Sequence, residues 1–198
     1  MNLIKTVFVI GLAISIVLWI ILSFEFSLLL LLVLVVFVIF WIVDSVRKKI
    51  GYEIFMSIGY GLFISSFFFS VGEMSIPRGM SFLGFFLLLV AFAVFILSAV
   101  TLRVKGKPTS GWEQTTEFTD VGIYGVVRHP IYLAAMVGAV GAMLVNFSLS
   151  AIALNSVAIF LFVMTSVAED KFNLEKFGDS YKDYLRRVTR LNFLRRGN

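Results

Sequence analysis

The 198-residue sequence contains no cysteine and a single histidine, His129. Disulfides, thiolate nucleophiles and cysteine-ligated zinc or iron–sulfur centres are thereby excluded. One imidazole also argues against a multi-histidine metal site, and no metal is expected. Proline is scarce, with three residues, and no internal repeat or low-complexity linker divides the chain. Charge is scarce as well. Asp, Glu, Lys and Arg make up 15% of the residues, against roughly 25% in soluble domains. Hydrophobic residues make up 60%, with a mean hydropathy of +0.99. So small a globule cannot hide that much apolar surface, which argues against a soluble enzyme and a disordered chain. The composition fits an integral membrane protein. The net charge of +5 has a membrane explanation in its distribution, and no nucleic-acid partner is expected.

A helix needs about 20 apolar residues to cross roughly 30 Å of hydrocarbon. Charge-free runs occupy Thr6–Phe24, Phe26–Val43, Ile54–Gly72 and Gly79–Leu102. A fifth run, Pro130–Ala168, is about twice the length of one crossing. Small polar residues at Asn146-Phe147-Ser148 allow a turn there, giving a hairpin of Pro130–Val145 and Leu149–Val167. The first run is too long for a signal-peptide core and lacks a following A-x-A site, so it reads as a retained helix. Six crossings result.

Basic residues support this count. Arg47, Lys48 and Lys49 follow the second run, Arg103, Lys105, Lys107 and Arg128 follow the fourth, and the tail from Lys171 to Arg196 is strongly basic. The intervening loops carry only Arg78. The positive-inside rule then sets both termini in the cytoplasm. The expected fold is all-α: a polytopic membrane bundle of about six transmembrane helices with a cytoplasmic C-terminal amphipathic helix. It is expected to be one structural domain, with residues 1–104 supplying four helices and residues 105–198 the chemistry. No ionisable residue falls mid-span, which argues against an ion pathway or proton relay.

The polar chemistry gathers in two stretches, Lys105–Pro130 and the tail from Glu169. An antiparallel hairpin over residues 130–167 would bring His129 and Glu169 to one membrane face. Pro130 suits the first turn of a helix, which sets His129 near the cap and Arg128 just outside. With Arg128, the unpaired N–H groups of that turn could hold a carboxylate or phosphate. Alternatively, Arg128 simply snorkels to headgroups. Gly122 and Gly125 permit close approach of a ligand to the backbone. Glu169 and Asp170 are either solvated acids paired with nearby bases or the anionic partner of a cationic ligand. Phe177-Gly178-Asp179 reads as a helix stop and restart. Tyr181, Tyr184, Leu185 and Val188 then share a face, which either lies on the membrane surface beside Arg186 and Arg187 or closes a site. Ala134, Gly138 and Ala142 recur every four residues and permit close helix packing.

Gly122-Ile-Tyr124, Arg128-His129-Pro130-Ile-Tyr132, Glu169-Asp170 and Phe177-Gly178-Asp179-Ser-Tyr181-Lys-Asp-Tyr184 occur in an order and spacing that resembles the isoprenylcysteine carboxyl methyltransferases and their phospholipid methyltransferase relatives. The resemblance covers Asp120–Arg190, and the first four runs match nothing specific. It implies an integral membrane enzyme using S-adenosylmethionine on a lipid or lipidated acceptor, either carboxylate or amine. It also implies a cofactor pocket drawn from Gly122, Tyr124, Arg128, His129, Pro130, Tyr132, Glu169, Tyr181 and Tyr184, with Glu169, His129 and Arg187 as catalytic candidates. Three departures stand out: the acidic pair is Glu-Asp rather than Glu-Glu, Ala134 replaces a frequent glycine, and no proline occurs near Thr189–Leu191. An NADPH-dependent membrane sterol or enone reductase, with a related C-terminal region, and a non-enzymatic membrane scaffold are the alternatives.

Overall fold

The computed structural model describes residues 27–48, 50–107 and 115–191. The first apolar run, Thr6–Phe24, lies outside them. The described residues form six α-helices and no strand: α1 (Ser27–Arg47), α2 (Tyr52–Ser65), α3 (Arg78–Lys105), α4 (Pro130–Val145), α5 (Leu149–Phe177) and α6 (Asp179–Arg187). A 3-10 turn, Gly122–Gly125, precedes α4.

Among the described residues two helices, α3 and α5, are long and apolar enough to cross a membrane. The charge-free part of α5 ends at Ala168, and the helix runs on through Glu169 and Asp170 to Phe177. Continuation keeps these two acids away from a helix C-terminus, where the dipole would oppose them. The run Ile54–Gly72 behaves differently from its reading as a full span. Only Tyr52–Ser65 is helical, which at 1.5 Å per residue covers about 21 Å. The serines at its end bond back to the preceding turn, Ser65 Oγ to the Gly61 carbonyl and Ser66 Oγ to that of Phe63, both at 2.7 Å. The chain then turns through Phe67–Phe69. Hydropathy alone does not register that stop.

The break between α4 and α5 falls where the polar triplet predicts it. Asn146 caps α4, and the Ser148 hydroxyl caps α5 by accepting from the Ala151 N–H at 3.2 Å. The Asn146 amide also donates to the Ser66 carbonyl at 2.6 Å, which ties the turn to the end of α2.

Small residues set the packing of α3 on α4. A Cβ on Gly84 would stand 2.8 Å from the Gly141 carbonyl oxygen, and one on Gly141 would stand 2.9 Å from that of Gly84. Only glycine lets these backbones meet. Ala134, Gly138 and Ala142 are buried on α4, as their spacing anticipates. At the opposite end of the bundle, Ser45 Oγ on α1 donates to the buried Glu53 carboxylate on α2 at 2.8 Å.

Candidate active site

Pro130 occupies the first turn of α4 with His129 at the cap. Gly122 adopts a φ of +60°, which turns the chain into the 3-10 segment leading to Arg128. Past α6 the chain returns alongside residues 127–129. Val127 pairs with Thr189 in a parallel bridge, the Arg128 N–H donates to the Thr189 carbonyl at 2.9 Å, and the His129 N–H donates to that of Arg190 at 3.2 Å. The hairpin brings Glu169 and Asp170 to the same spot, forty residues on.

The single imidazole is set between the two acids. His129 Nε2 lies 2.8 Å from Asp170 Oδ1, and Nδ1 lies 3.3 Å from Glu169 Oε2. Its ring stacks on Tyr132 at 5.6 Å. Asp170 is the hub of the cluster. Tyr181 Oη donates to Oδ1 at 2.9 Å, Arg190 Nε donates to Oδ2 at 2.8 Å, and Arg128 Nη2 lies 3.4 Å from Oδ2. Arg128 also donates from Nη1 to the Leu185 carbonyl at 3.0 Å, while its buried Nε has no hydrogen-bond partner.

Charge follows from this geometry. Burial disfavours the imidazolium, but Asp170 and Glu169 outweigh it and raise the His129 pKa from 6.5 to about 8. Burial likewise favours a neutral Asp170. His129, Arg128 and Arg190 overcome it and hold the carboxyl down at about 2. Burial pushes the phenols of Tyr124, Tyr181 and Tyr184 above their ordinary range, so all three stay protonated.

Two cavities meet at this cluster. One is a small polar pocket of about 50 Å³ under α6, bounded by Thr115, Phe118, Thr119, Asn173, Phe177, Tyr181 and Tyr184. The other is an apolar chamber of about 400 Å³ bounded mainly by α1, α2 and α4, with Phe95 and Leu102 of α3 and Glu169 of α5, lined by residues such as Trp41, Met56, Tyr60 and Ile131 and including Glu53. Six residues line both: Tyr52, Leu102, Tyr124, Arg128, His129 and Glu169. Glu169 is about a quarter exposed and forms part of the wall between them.

The structure thus brings together Tyr124, Arg128, His129, Glu169, Tyr181 and Tyr184, with Pro130 and Tyr132 on the chamber side. Two candidates stay apart. Gly122 lines neither cavity, and its positive φ accounts for the residue there. Arg187 is exposed and donates to Asp120 at 3.1 Å, outside both cavities. The tyrosine face of α6 packs on Phe118 and Phe177 and covers the polar pocket. Sequence reasoning missed the hub role of Asp170 and the contribution of Arg190, although Asp170 adjoins Glu169 in the acidic pair. Tyr52, Glu53 and Leu102 carry no local signal, because tertiary packing alone brings them here. Among the described residues no group of three His, Cys, Asp or Glu side chains could hold a metal ion.

No curated protein and no solved structure matches the chain. A family model, that of the phospholipid methyltransferases, matches residues 79–180. The match reaches further back than the motif-based resemblance and takes in α3, so the fourth apolar run is more than a generic membrane segment. It spans just over half of the sequence, and the chain belongs to the phospholipid methyltransferase family, membrane methyltransferases that act on lipid substrates.

Proposed function

We propose that the protein transfers a methyl group from S-adenosylmethionine, held in the polar pocket, to a lipid amine held in the apolar chamber. The observation that carries this reading is the shared wall: a polar and an apolar cavity meet at Glu169, His129, Arg128 and Tyr124. A water-soluble cofactor and a lipid need such a junction to react.

The donor set suits the cofactor. Arg128 Nε and Tyr124 Oη are buried polar atoms without partners, the pairing buried groups normally require. Arg128 with the N-terminus of α4 suits the cofactor carboxylate, Glu169 suits its ammonium, and the rings of Phe118, Tyr181 and Tyr184 suit adenine and the sulfonium. When bound, the cofactor supplies an electrophilic methyl group on a sulfonium.

The acids on the chamber wall favour an amine acceptor. Glu53 and Glu169 both line it, while Arg128 and His129 already face Asp170. An ammonium must lose a proton before its nitrogen can attack, and Glu169 is the carboxylate that reaches both cavities. It takes the proton as general base, and the apolar chamber wall excludes water from the acceptor nitrogen. We further propose six crossings with both termini cytoplasmic, in one domain whose residues 105–198 carry the catalytic groups and whose residues 1–104 supply the first four crossings.

Thermal unfolding of the purified protein tests the cofactor assignment. S-adenosylhomocysteine should raise the melting temperature, and further with the logarithm of its concentration above Kd, and NADPH should not. Stabilisation by NADPH alone would favour the reductase alternative.

A further inference from the structure

His129, Glu169 and Asp170 form a line of three groups, and the methyl-transfer reading needs only Glu169 from it. We propose that Asp170 and His129 are positioning residues: Asp170 fixes the imidazole through Nε2, and the imidazole in turn fixes Glu169 through Nδ1 at the wall between the cavities. The inference rests on the methyl-transfer reading for its catalytic meaning, and on the side-chain geometry alone for its physical content.

The geometry has three parts. His129 is buried, at 4% exposure, with its ring clamped on one face by Tyr132. Its nitrogens stand 2.8 Å and 3.3 Å from carboxylate oxygens on adjacent residues of α5. An imidazole that donates from both nitrogens carries a proton on each. It then has no lone pair with which to accept a proton, and it acts as a fixed bidentate donor. Nδ1 stands 3.3 Å from Glu169 Oε2, so the charged imidazole holds that carboxylate by attraction at the wall between the cavities. Arg128, Arg190 and the Tyr181 hydroxyl surround Asp170, so that carboxylate stays charged and stationary. The Tyr132 hydroxyl faces Glu169 as well. Arg190 and Tyr181 belong to the segment that covers the polar pocket, so Asp170 joins that cover to the orientation of Glu169.

The chain has only one histidine, so imidazole-selective NMR reads this group without assignment ambiguity. In the wild-type protein in detergent micelles, with neither cofactor nor lipid added, His129 should show two protonated ring nitrogens at pH 7 and titrate near pH 8. In Asp170→Asn its titration should fall to 6.5 or below. In Glu169→Gln, a half-buried position less critical to folding, it should fall by a smaller amount. A neutral wild-type His129 at pH 7, or a titration unmoved by Glu169→Gln, overturns the proposal even if Asp170→Asn does not fold.

Turnover supplies the second readout. The kcat of Asp170→Asn relative to wild type should be about tenfold down at pH 7.5 and return toward one at pH 6, where the imidazole recharges. A loss independent of pH marks a purely structural role and also overturns the proposal. If the wild-type protein moves no methyl group at all, the functional reading fails while the NMR titration still judges the relay.

Discussion

At the residue scale the cluster around Asp170 has a definite dependence on pH. His129 has its pKa raised from 6.5 to about 8. Its contribution to stability is therefore complete below pH 6.5 and disappears as pH rises through about 8. Asp170 is lowered from 3.8 to about 2, so its contribution is complete above pH 3.8 and disappears as pH falls toward 2. Melting temperature should be highest between about pH 4 and 6.5 and decline through pH 8, with the upper decline absent in Asp170→Asn. Arg128 gives a second test. Arg128→Ala should weaken binding of S-adenosylhomocysteine by about 1.5–3 kcal/mol, the range of a charge-assisted hydrogen bond. Arg128→Lys should recover only part of it, because lysine lacks the planar fork. Equal binding by wild type and Arg128→Ala would leave Arg128 with a structural role only. Arg187→Ala should change turnover little, since exposed ion pairs contribute about 0–1 kcal/mol. Most of these residues were legible in the sequence because the motif residues are local and chemically distinctive. Arg187 lies outside both cavities for a physical reason: the buried face of α6 is set by Tyr181 and Tyr184, continued by Val188, and Arg187 lies off that face.

At the scale of elements, the helical hairpin carries the site. Asn146 and Ser148 announced its turn, since an amide and a hydroxyl can cap helix ends that a continuous apolar run would not interrupt. The shortness of α2 was not legible, because the run through Gly72 carries no charge and its end depends on hydrogen bonds to Asn146 and Ser150. The crossing of α3 over α4 at Gly84 and Gly141 allows no added side chain. Gly84→Val should destabilise the protein by roughly 1–3 kcal/mol, the usual cost of overpacking, seen as a lower melting temperature without a change in the His129 titration. The polar pocket is small, at about 50 Å³, and α6 covers it, so the proposed cofactor would enter by displacing α6 and the Thr189–Arg190 segment. Hydrogen exchange should show residues 179–191 better protected with S-adenosylhomocysteine than without it. Protection confined to α3 and α4 would point to another site.

At the scale of the whole molecule, the two ends of the bundle differ in chemistry. Residues 72–77 sit beside the Asn146 turn, with Met74 N–H donating to the Phe147 carbonyl at 3.0 Å, while the charged cluster lies at the other end of α4 and α5. Accessibility tags at both termini and at Ser75 should therefore report the termini together on one membrane face and Ser75 on the other. Termini on opposite faces would contradict the six-crossing arrangement. Composition made the membrane class legible, because 60% hydrophobic residues leave few alternatives. It could not reveal the chamber, whose walls come from α1 through α5 and are assembled only by tertiary packing. The central claim is that Glu169 removes the acceptor proton where the polar and lipid cavities meet. Transfer of labelled methyl groups from S-adenosylmethionine to an amine-headgroup phospholipid, by wild type and by Glu169→Gln, tests it most directly. The expected result is labelled lipid from the wild type and a kcat lower by about 10²–10⁴ in the variant, the range of general base catalysis. Equal rates from the two proteins would contradict it.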